Sequence, residues 1–262
     1  MRWLVLCVVV AGCTEKPKAP ASPPPRPVPV DPLVAERARP VDGGDDGDAL
    51  YTVKPFTFVS EPVPAGALPV AIAGSTIRLA GQPLTADALK AKLGDSTVVL
   101  LSFDEETYLA QAAPVLALLD DARAKVWLQS PDAPALAWPV KLRDEPAFAA
   151  WLDESVPGKL RIVQRADGFE LQTNLGKLPG GDPKGPTVPV RGGKLDLVTL
   201  QTGLDQINRR FHESPDVCFL PSYATSMHDA IRAVATNWLS SQKVIFGEAS
   251  LVYPRPRAGS KP

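Results

Sequence analysis

Two stretches of this chain lie over one another without a gap, and that self-similarity constrains the fold more than any other feature. TIRLAGQPLTADALKAKL (Thr76 to Leu93) matches TVPVRGGKLDLVTLQTGL (Thr187 to Leu204), so that Thr76 meets Thr187, Gly81 meets Gly192, Leu84 meets Leu195, Leu89 meets Leu200 and Leu93 meets Leu204. Each stretch reads as a strand, a tight glycine turn and a helix that buries leucines. VVLLSFDEETYLAQAAPVLALL and VCFLPSYATSMHDAIRAVATNWL follow, each a strand and then a helix, and KVWLQS and KVIFGE close the two halves as strands. Each half also opens with a hairpin. Gly74-Ser75 separates two β-rich runs in the first, and Asp167-Gly168, a strong hairpin signal, does so in the second. The unit is β-β-α-β-α-β. A mixed sheet of this kind takes helices on one face, so the expected fold is α+β, with two tandem units packed as layers, side by side or sharing an edge. The first unit occupies residues 51–130 and the second 159–254. A connector with one short helix near Pro146 to Leu152 joins them, and residues 255–262 read as a disordered tail.

The periodicities place the elements. Leu197, Leu200, Leu204, Ile207 and Phe211 recur at spacings of three and four, which is one helix face, and Met227, Ile231, Val234 and Trp238 do the same with Thr225 or Ser226 as N-cap. Strands are expected at Thr97–Phe103, Lys125–Gln129, Lys159–Arg165, Phe169–Thr173, Val217–Leu220 and Lys243–Phe246, where β-branched and apolar residues crowd together.

The amino-terminal end sets the compartment. After Met1 and Arg2, the uncharged run Trp3 to Gly12 is far shorter than the ~20 apolar residues a membrane-spanning helix needs. A basic start, a short apolar core and small residues describe an export signal. Val10-Ala11-Gly12-Cys13 resembles the bacterial lipobox, which implies that residues 1–12 are a signal peptide and that Cys13 becomes the lipidated first residue of the mature chain. An ordinary signal, or a buried strand that contains Cys13, is the competing reading. Fatty acyl chains such as palmitate anchor by burying methylenes at ~0.8 kcal/mol each. Thr14 follows the anchor where aspartate usually marks retention at the inner membrane, so the analogy leans to the outer one. Residues 13–50, crowded with proline and then acidic and glycine-rich, read as a disordered tether. Asp42, Asp46 and Gly47 fit only part of an EF-hand loop, and Val53 stands where its closing Glu belongs, so no metal is expected there. With Cys7 in the signal and Cys13 acylated, Cys218 is the one cysteine of the body, and its apolar surroundings favour a small core residue over a reactive thiol. The formal net charge of −1, with both signs dispersed, gives no reason to expect nucleic acid as a partner.

VAIAGSTIRLAGQPLTADALKAKL followed by VVLLSFDEETYLAQAAPVLALLDDARAKVWLQS resembles the periplasmic domain of the ExbD/TolR family of biopolymer transport proteins. Members of that family show a hairpin with glycine at its turn, a leucine-bearing helix, a strand ending near an aspartate, a helix opening near a tyrosine and a last strand. Asp104 and Tyr108 fall at the matching positions, whereas in the second half Tyr223 and Ala224 replace the aspartate region and GKLPGGDPKGPT lengthens a loop. Family members also carry a transmembrane helix whose acidic residue serves proton use, and an acid in such a place is a functional site by default. This chain has no acid in its apolar segment. The resemblance therefore implies the periplasmic part without the proton-coupling part, with the two halves paired as a pseudo-dimer within one chain.

Catalytic candidates are sparse. Asp104, Glu105 and Glu106 cluster after a strand, where acid/base groups of an enzyme often stand, but a carboxylate there more simply caps the following helix. Ser102 lacks the G-x-S-x-G elbow, and His212 and His228 have neither a nucleophile nor a ligand spacing between them. The loop around Lys184 has glycines without the order that cradles phosphate. No catalytic, cofactor or metal residue is expected. The expectation is a non-enzymatic, lipid-anchored envelope protein, either a scaffold beside an ExbB/TolQ-type motor or a stand-alone binder of peptidoglycan; an enzyme acting on envelope polymers through Asp104 to Glu106 is the least favoured reading.

Overall fold

A computed structural model of the chain describes residues 56–94, 97–154, 159–211, 215–240 and 243–256. The signal, Cys13, the tether with its acidic patch, His212 and residues 257–262 lie outside the described residues. The first half runs β1 (Leu68–Ala73), β2 (Thr76–Leu79), β3 (Gln82–Leu84), α1 (Ala86–Lys90), β4 (Val98–Phe103), α2 (Leu109–Asp121), β5 (Lys125–Gln129), β6 (Ala137–Arg143) and α3 (Glu145–Asp153). The second runs β7 (Leu160–Arg165), β8 (Gly168–Thr173), β9 (Gly176–Lys177), β10 (Val188–Pro189), α4 (Leu197–Arg210), β11 (Asp216–Leu220), α5 (Met227–Ala235), β12 (Trp238–Ser240), β13 (Lys243–Val244) and β14 (Glu248–Val252). The fold is α+β with a mixed sheet.

Twelve strands form one sheet in the order β10-β8-β7-β11-β14-β6-β5-β4-β1-β2-β3, with β9 added to β8. In the first half β1 pairs antiparallel with β2 and parallel with β4, and β4 pairs parallel with β5. In the second, β7 pairs antiparallel with β8 and parallel with β11, and β11 pairs parallel with β14. Between them β6 runs antiparallel to β5 and parallel to β14. Sequence reading assigned residues 137–143 to a connector, yet they form this joining strand. The strand that closes the second half is Glu248–Val252 and not the expected Lys243–Phe246, whose first residues instead make a separate two-stranded ribbon with β12. Helix α5 ends at Ala235, short of Trp238. There Thr236 donates its hydroxyl to the Ala233 carbonyl, and the Asn237 side chain holds both the N–H and the carbonyl of Phe246.

Helix caps and turns follow local chemistry. Thr85 and Asp196 cap α1 and α4 by accepting the N–H groups of Ala88 and Thr199, and the repeated Leu89 and Leu200 behind them are both fully buried. Phe211, expected on the buried face of α4, is instead 47% exposed beyond its last turn. Gly74 and Ser75 form the β1–β2 turn, with Gly74 at positive φ. In the second hairpin Arg165 pairs with Gly168, so the turn is Ala166-Asp167, one residue earlier than its sequence signal. Gly168 serves a different purpose, because a Cβ there would stand 2.1 Å from the Val188 carbonyl of the neighbouring β10.

The main core lies on one face, where Val70, Ile72, Val99, Leu101, Val217, Phe219 and Leu251 meet the leucines of α1, α2 and α4 and the apolar side of α5. Helix α3 breaks the expectation of helices on one face only. Its Phe148, Trp151 and Leu152 pack on Cys218, Leu220 and Val252, residues that alternate along their strands with those of the main core and so point to the opposite face. The halves meet in an aromatic seam. Phe56, Phe58, Trp138 and Trp238 follow one another at ring centroid separations of 5.0, 5.9 and 6.5 Å, and Trp138 donates its Nε1–H to the Val59 carbonyl at 2.6 Å. Beyond β14 the chain stays attached through Arg255, which binds Asp121 and Asp144 at 2.7 and 2.8 Å, so Arg255 belongs to the body and not to a tail.

Trp138→Ala is expected to lower stability by about 3–5 kcal/mol, since a fully buried aromatic is replaced by a cavity. Trp138→Phe, which keeps a ring and loses the bond to Val59, should cost nearer 1 kcal/mol beyond any loss of packing. Urea unfolding followed by circular dichroism measures both.

Candidate functional site

The turns that follow β4 and β11 lie against each other. Thr107 and Thr225, the buried residues of the two turns, stand at corresponding places, and their neighbours exchange backbone bonds. Leu109 N–H donates to the Thr225 carbonyl at 3.0 Å and Met227 N–H to the Thr107 carbonyl at 2.8 Å, with Tyr108 and Ser226 forming an antiparallel bridge between them. His228, in the first turn of α5, adds Nε2 at 3.0 Å from the Phe103 carbonyl at the end of β4.

Asp104 does not cap α2. Its carboxylate accepts the Thr107 hydroxyl and lies 3.4 Å from the Gly74 N–H, which donates to Thr107 Oγ1 at 2.8 Å. The aspartate thus ties the hairpin turn of β1 and β2 to the end of β4. The N-cap of α2 is Tyr108, whose own N–H is taken by Gln111 Oε1 at 2.8 Å. Glu105 and Glu106 are exposed, Ser102 is half-buried on β4, and Lys184 is exposed in a loop where its N–H binds Asp182. Cys218 is fully buried and its thiol is pushed up to about 12, chiefly by burial. These residues do not converge on a common point. Among the described residues no group of three or more His, Cys, Asp or Glu side chains is placed to hold a metal ion.

Two features that sequence reading missed lie around α3. The first is a network of charges whose centre, Arg143, Lys159 and Asp216, is buried and whose rim, Glu248 and Glu154, reaches solvent. Arg143, 8% exposed, donates Nε–H to Ser250 at 2.9 Å and reaches Glu248 and Asp216 with Nη2 at 3.0 and 3.4 Å. Trp151 of α3 donates Nε1–H to Asp216 at 2.6 Å, while the Arg143 guanidinium and the Lys159 ammonium stand 5.7 and 4.9 Å from its ring centre. Lys159, 1% exposed, is neutralised by Glu154 at 3.0 Å. Every charge has a partner of opposite sign, so the network clamps α3 in place.

The second is a groove of about 250 Å³ at the end of that helix, lined by Leu109, Phe148, Leu220, Val252, Tyr253 and Tyr223. The lining is mainly apolar. Its polar rim is Glu145, which accepts the Tyr223 hydroxyl at 3.0 Å, and Tyr223 is 58% exposed. Tyr253 turns its hydroxyl away to Asp120 at 2.8 Å, and burial pushes both groups up. The groove therefore offers an apolar wall with one carboxylate and one tyrosine hydroxyl at its edge. Tyr223 was noted in the sequence only as a departure from the aspartate of the resembled family, and Phe148 and Val252 reach the groove only through tertiary packing.

The chain matches no family model, no curated protein and no solved structure. Among the described residues no helix is long and apolar enough to cross a membrane.

Thr107→Val should cost about 1–3 kcal/mol, because it leaves the Gly74 N–H and the Asp104 carboxylate without their shared partner. Thermal melting checks this against Thr107→Ser, which keeps the hydroxyl. Cys218 should resist iodoacetamide at pH 8 in the folded chain and react once denaturant is added, as read by peptide mapping of the alkylated residue.

Proposed function

We propose that the chain is a non-enzymatic, lipid-anchored protein of the bacterial envelope, held at Cys13, whose body is two fused ExbD/TolR-like units acting as a scaffold or binding module beside an ExbB/TolQ-type motor. The observation that carries this reading is the matching order of pairings: β2-β1-β4-β5 and β8-β7-β11-β14 have the same sequence of antiparallel, parallel and parallel neighbours. The reciprocal bonds between the turns at Thr107 and Thr225 support it further. A contact in which residue i meets j and j meets i is the mark of a two-fold interface, and fusing two copies of a dimer-forming unit preserves it. The two halves are not identical in detail. The gapless sequence match sets β10 against β2, while β8 holds the place beside β7 that β2 holds beside β1.

The non-enzymatic part of the reading is supported by the mutual pairing of the charges around α3 and by the mainly apolar lining of the groove. A groove of this composition suits the flat faces of sugars as well as apolar side chains, which keeps stand-alone peptidoglycan binding as the second reading, favoured by the exposed Tyr223 at its rim. The outer membrane is favoured over the inner by Thr14 after the anchor.

Mass analysis of the native amino terminus is expected to find an acylated Cys13, and Cys13→Ala should move the chain from the membrane to the soluble fraction; an unmodified terminus in the membrane-bound protein overturns the anchor. Cosedimentation with purified cell wall separates the two functional readings. A scaffold stays in solution, whereas a peptidoglycan binder pellets and is released by Tyr223→Ala.

A further inference from the structure

The two faces of the sheet are covered unequally. Taking the turns at Thr107 and Thr225 as corresponding points, Leu100 holds in β4 the place that Cys218 holds in β11, and the registers then set Trp127 against Ser250 and Lys125 against Glu248. On the second half this face lies under α3, and Cys218 and Ser250 are fully buried. On the first half no described helix covers it, and Leu100, Ser102 and Trp127 are only half-buried.

The bare face has a definite pattern. Pro69, Leu100, Trp127 and Pro139 are consecutive partners across β1, β4, β5 and β6, and so form an apolar row. The charged side chains that these strands and β2 place on that face are all basic: Arg78 and Lys125, both exposed, Lys141, which reaches Glu248 at 3.2 Å, and Arg143, sealed beneath α3. The molecule also shows what settles on such a surface. Helix α3 with its two caps, Asp144 to Glu154 (DEPAFAAWLDE), is an acidic amphipathic segment that lays Phe148 and Trp151 on the sheet and matches its acids to basic groups, Glu154 to Lys159 and Asp144 to Arg255. A second copy of this chain is a poor cover, since face-to-face pairing would set Arg78 and Lys125 against their own kind.

We propose that the open face formed by Pro69, Leu100, Trp127 and Pro139 is a docking surface for an acidic amphipathic helix of a partner protein, seated there as α3 is seated on the other half. An apolar stripe of such a helix covers the row, and its acidic flank meets Arg78 and Lys125. Edge pairing does not compete for this partner. The outer strands β3 and β10 are three and two residues long and carry Pro83 and Pro189, which blunts both edges. The proposal stands on registers, burial and charge, and is independent of the lipid anchor and of the family reading.

The test uses the ¹⁵N-labelled full chain and an end-blocked peptide of sequence DEPAFAAWLDE. The peptide should shift the Trp127 indole N–H and the Leu100 and Ser102 amides saturably. The same peptide with its four acids replaced by lysine should bind at least tenfold more weakly, and so should the acidic peptide to Arg78→Glu/Lys125→Glu. Both changes are at exposed positions, so the thermal midpoint of that variant should match the parent and the loss is not one of folding. Equal binding of the acidic and basic peptides, shifts confined to Cys218 and Ser250 through exchange with α3, or no saturable shift at millimolar peptide would each overturn the proposal. So would concentration-dependent burial of Trp127 with no peptide present, which would make the occupant a second copy.

Discussion

Strand β6 pairs antiparallel with β5 through Ala137–Val140 and parallel with β14 through Lys141–Arg143, so one seven-residue segment closes two sheet edges. Without it β5 and β14 would each end a sheet with a row of unpaired backbone donors and acceptors beside an apolar core, an arrangement that invites pairing with other chains. With it, the two half-sheets become one. Because β6 opposes β5 and follows β14, the two halves run in opposite directions at their junction. Trp138 on the same strand then fills the seam between Phe58 and Trp238, which joins sheet continuity and core continuity in a single element.

Polar ties across the halves reinforce that junction at points far apart in sequence. Arg232 of α5 holds both oxygens of Asp132, just past β5, at 2.8 and 2.7 Å, and keeps that carboxyl below the usual aspartate range. Such a tie is present while Asp132 is ionised and fades as pH falls through its lowered pKa. Tyr253 and Arg255 reach from beyond β14 to Asp120 and Asp121 at the end of α2. Partly exposed pairs of this kind are individually modest, near 0–1 kcal/mol. Their joint effect is on register: the aromatic seam sets how closely the halves approach, and the forked guanidinium bonds set how they are turned.

The elements that were legible in the sequence are those whose burial is written into continuous apolar runs. Lys125–Gln129 is found as expected and Val98–Phe103 lies within a residue of it, because parallel strands covered from the helix side read as unbroken Val and Leu. Strand β6 was not legible, since AWPVKLR has a proline as its third residue and two basic residues after it. Pro139 is tolerated because it lies opposite Trp127 in the ladder to β5, before the ladder to β14 begins at Lys141. Strand β14 was hidden for a related reason: Glu248 and Ser250 look like surface residues until Arg143, from a strand more than a hundred positions earlier, supplies their partner. The capping role read for Asp104 failed because its carboxylate takes the hydroxyl of Thr107, which the turn at Gly74, distant in sequence, also engages. The groove was invisible in the same way, its walls coming from α2, α3, β11 and β14 at once.

The asymmetry between the two faces has an energetic logic. Lifting α3 would bring water to Asp216 and Arg143, and it would strip Trp151 from an ion network whose members are satisfied only while all are present. That cover is therefore permanent, and its value lies in fixing one seating of the helix as much as in stability. At the corresponding places of the first half stand Val98, Leu100 and Trp127, which ask for no particular partner and lose only about 25 cal/mol for each Å² left in water. A face of that kind tolerates exposure and rewards contact. The half with buried charges thus has its cover fixed by them, and the half with an apolar row and a basic rim keeps the surface proposed above for a helix.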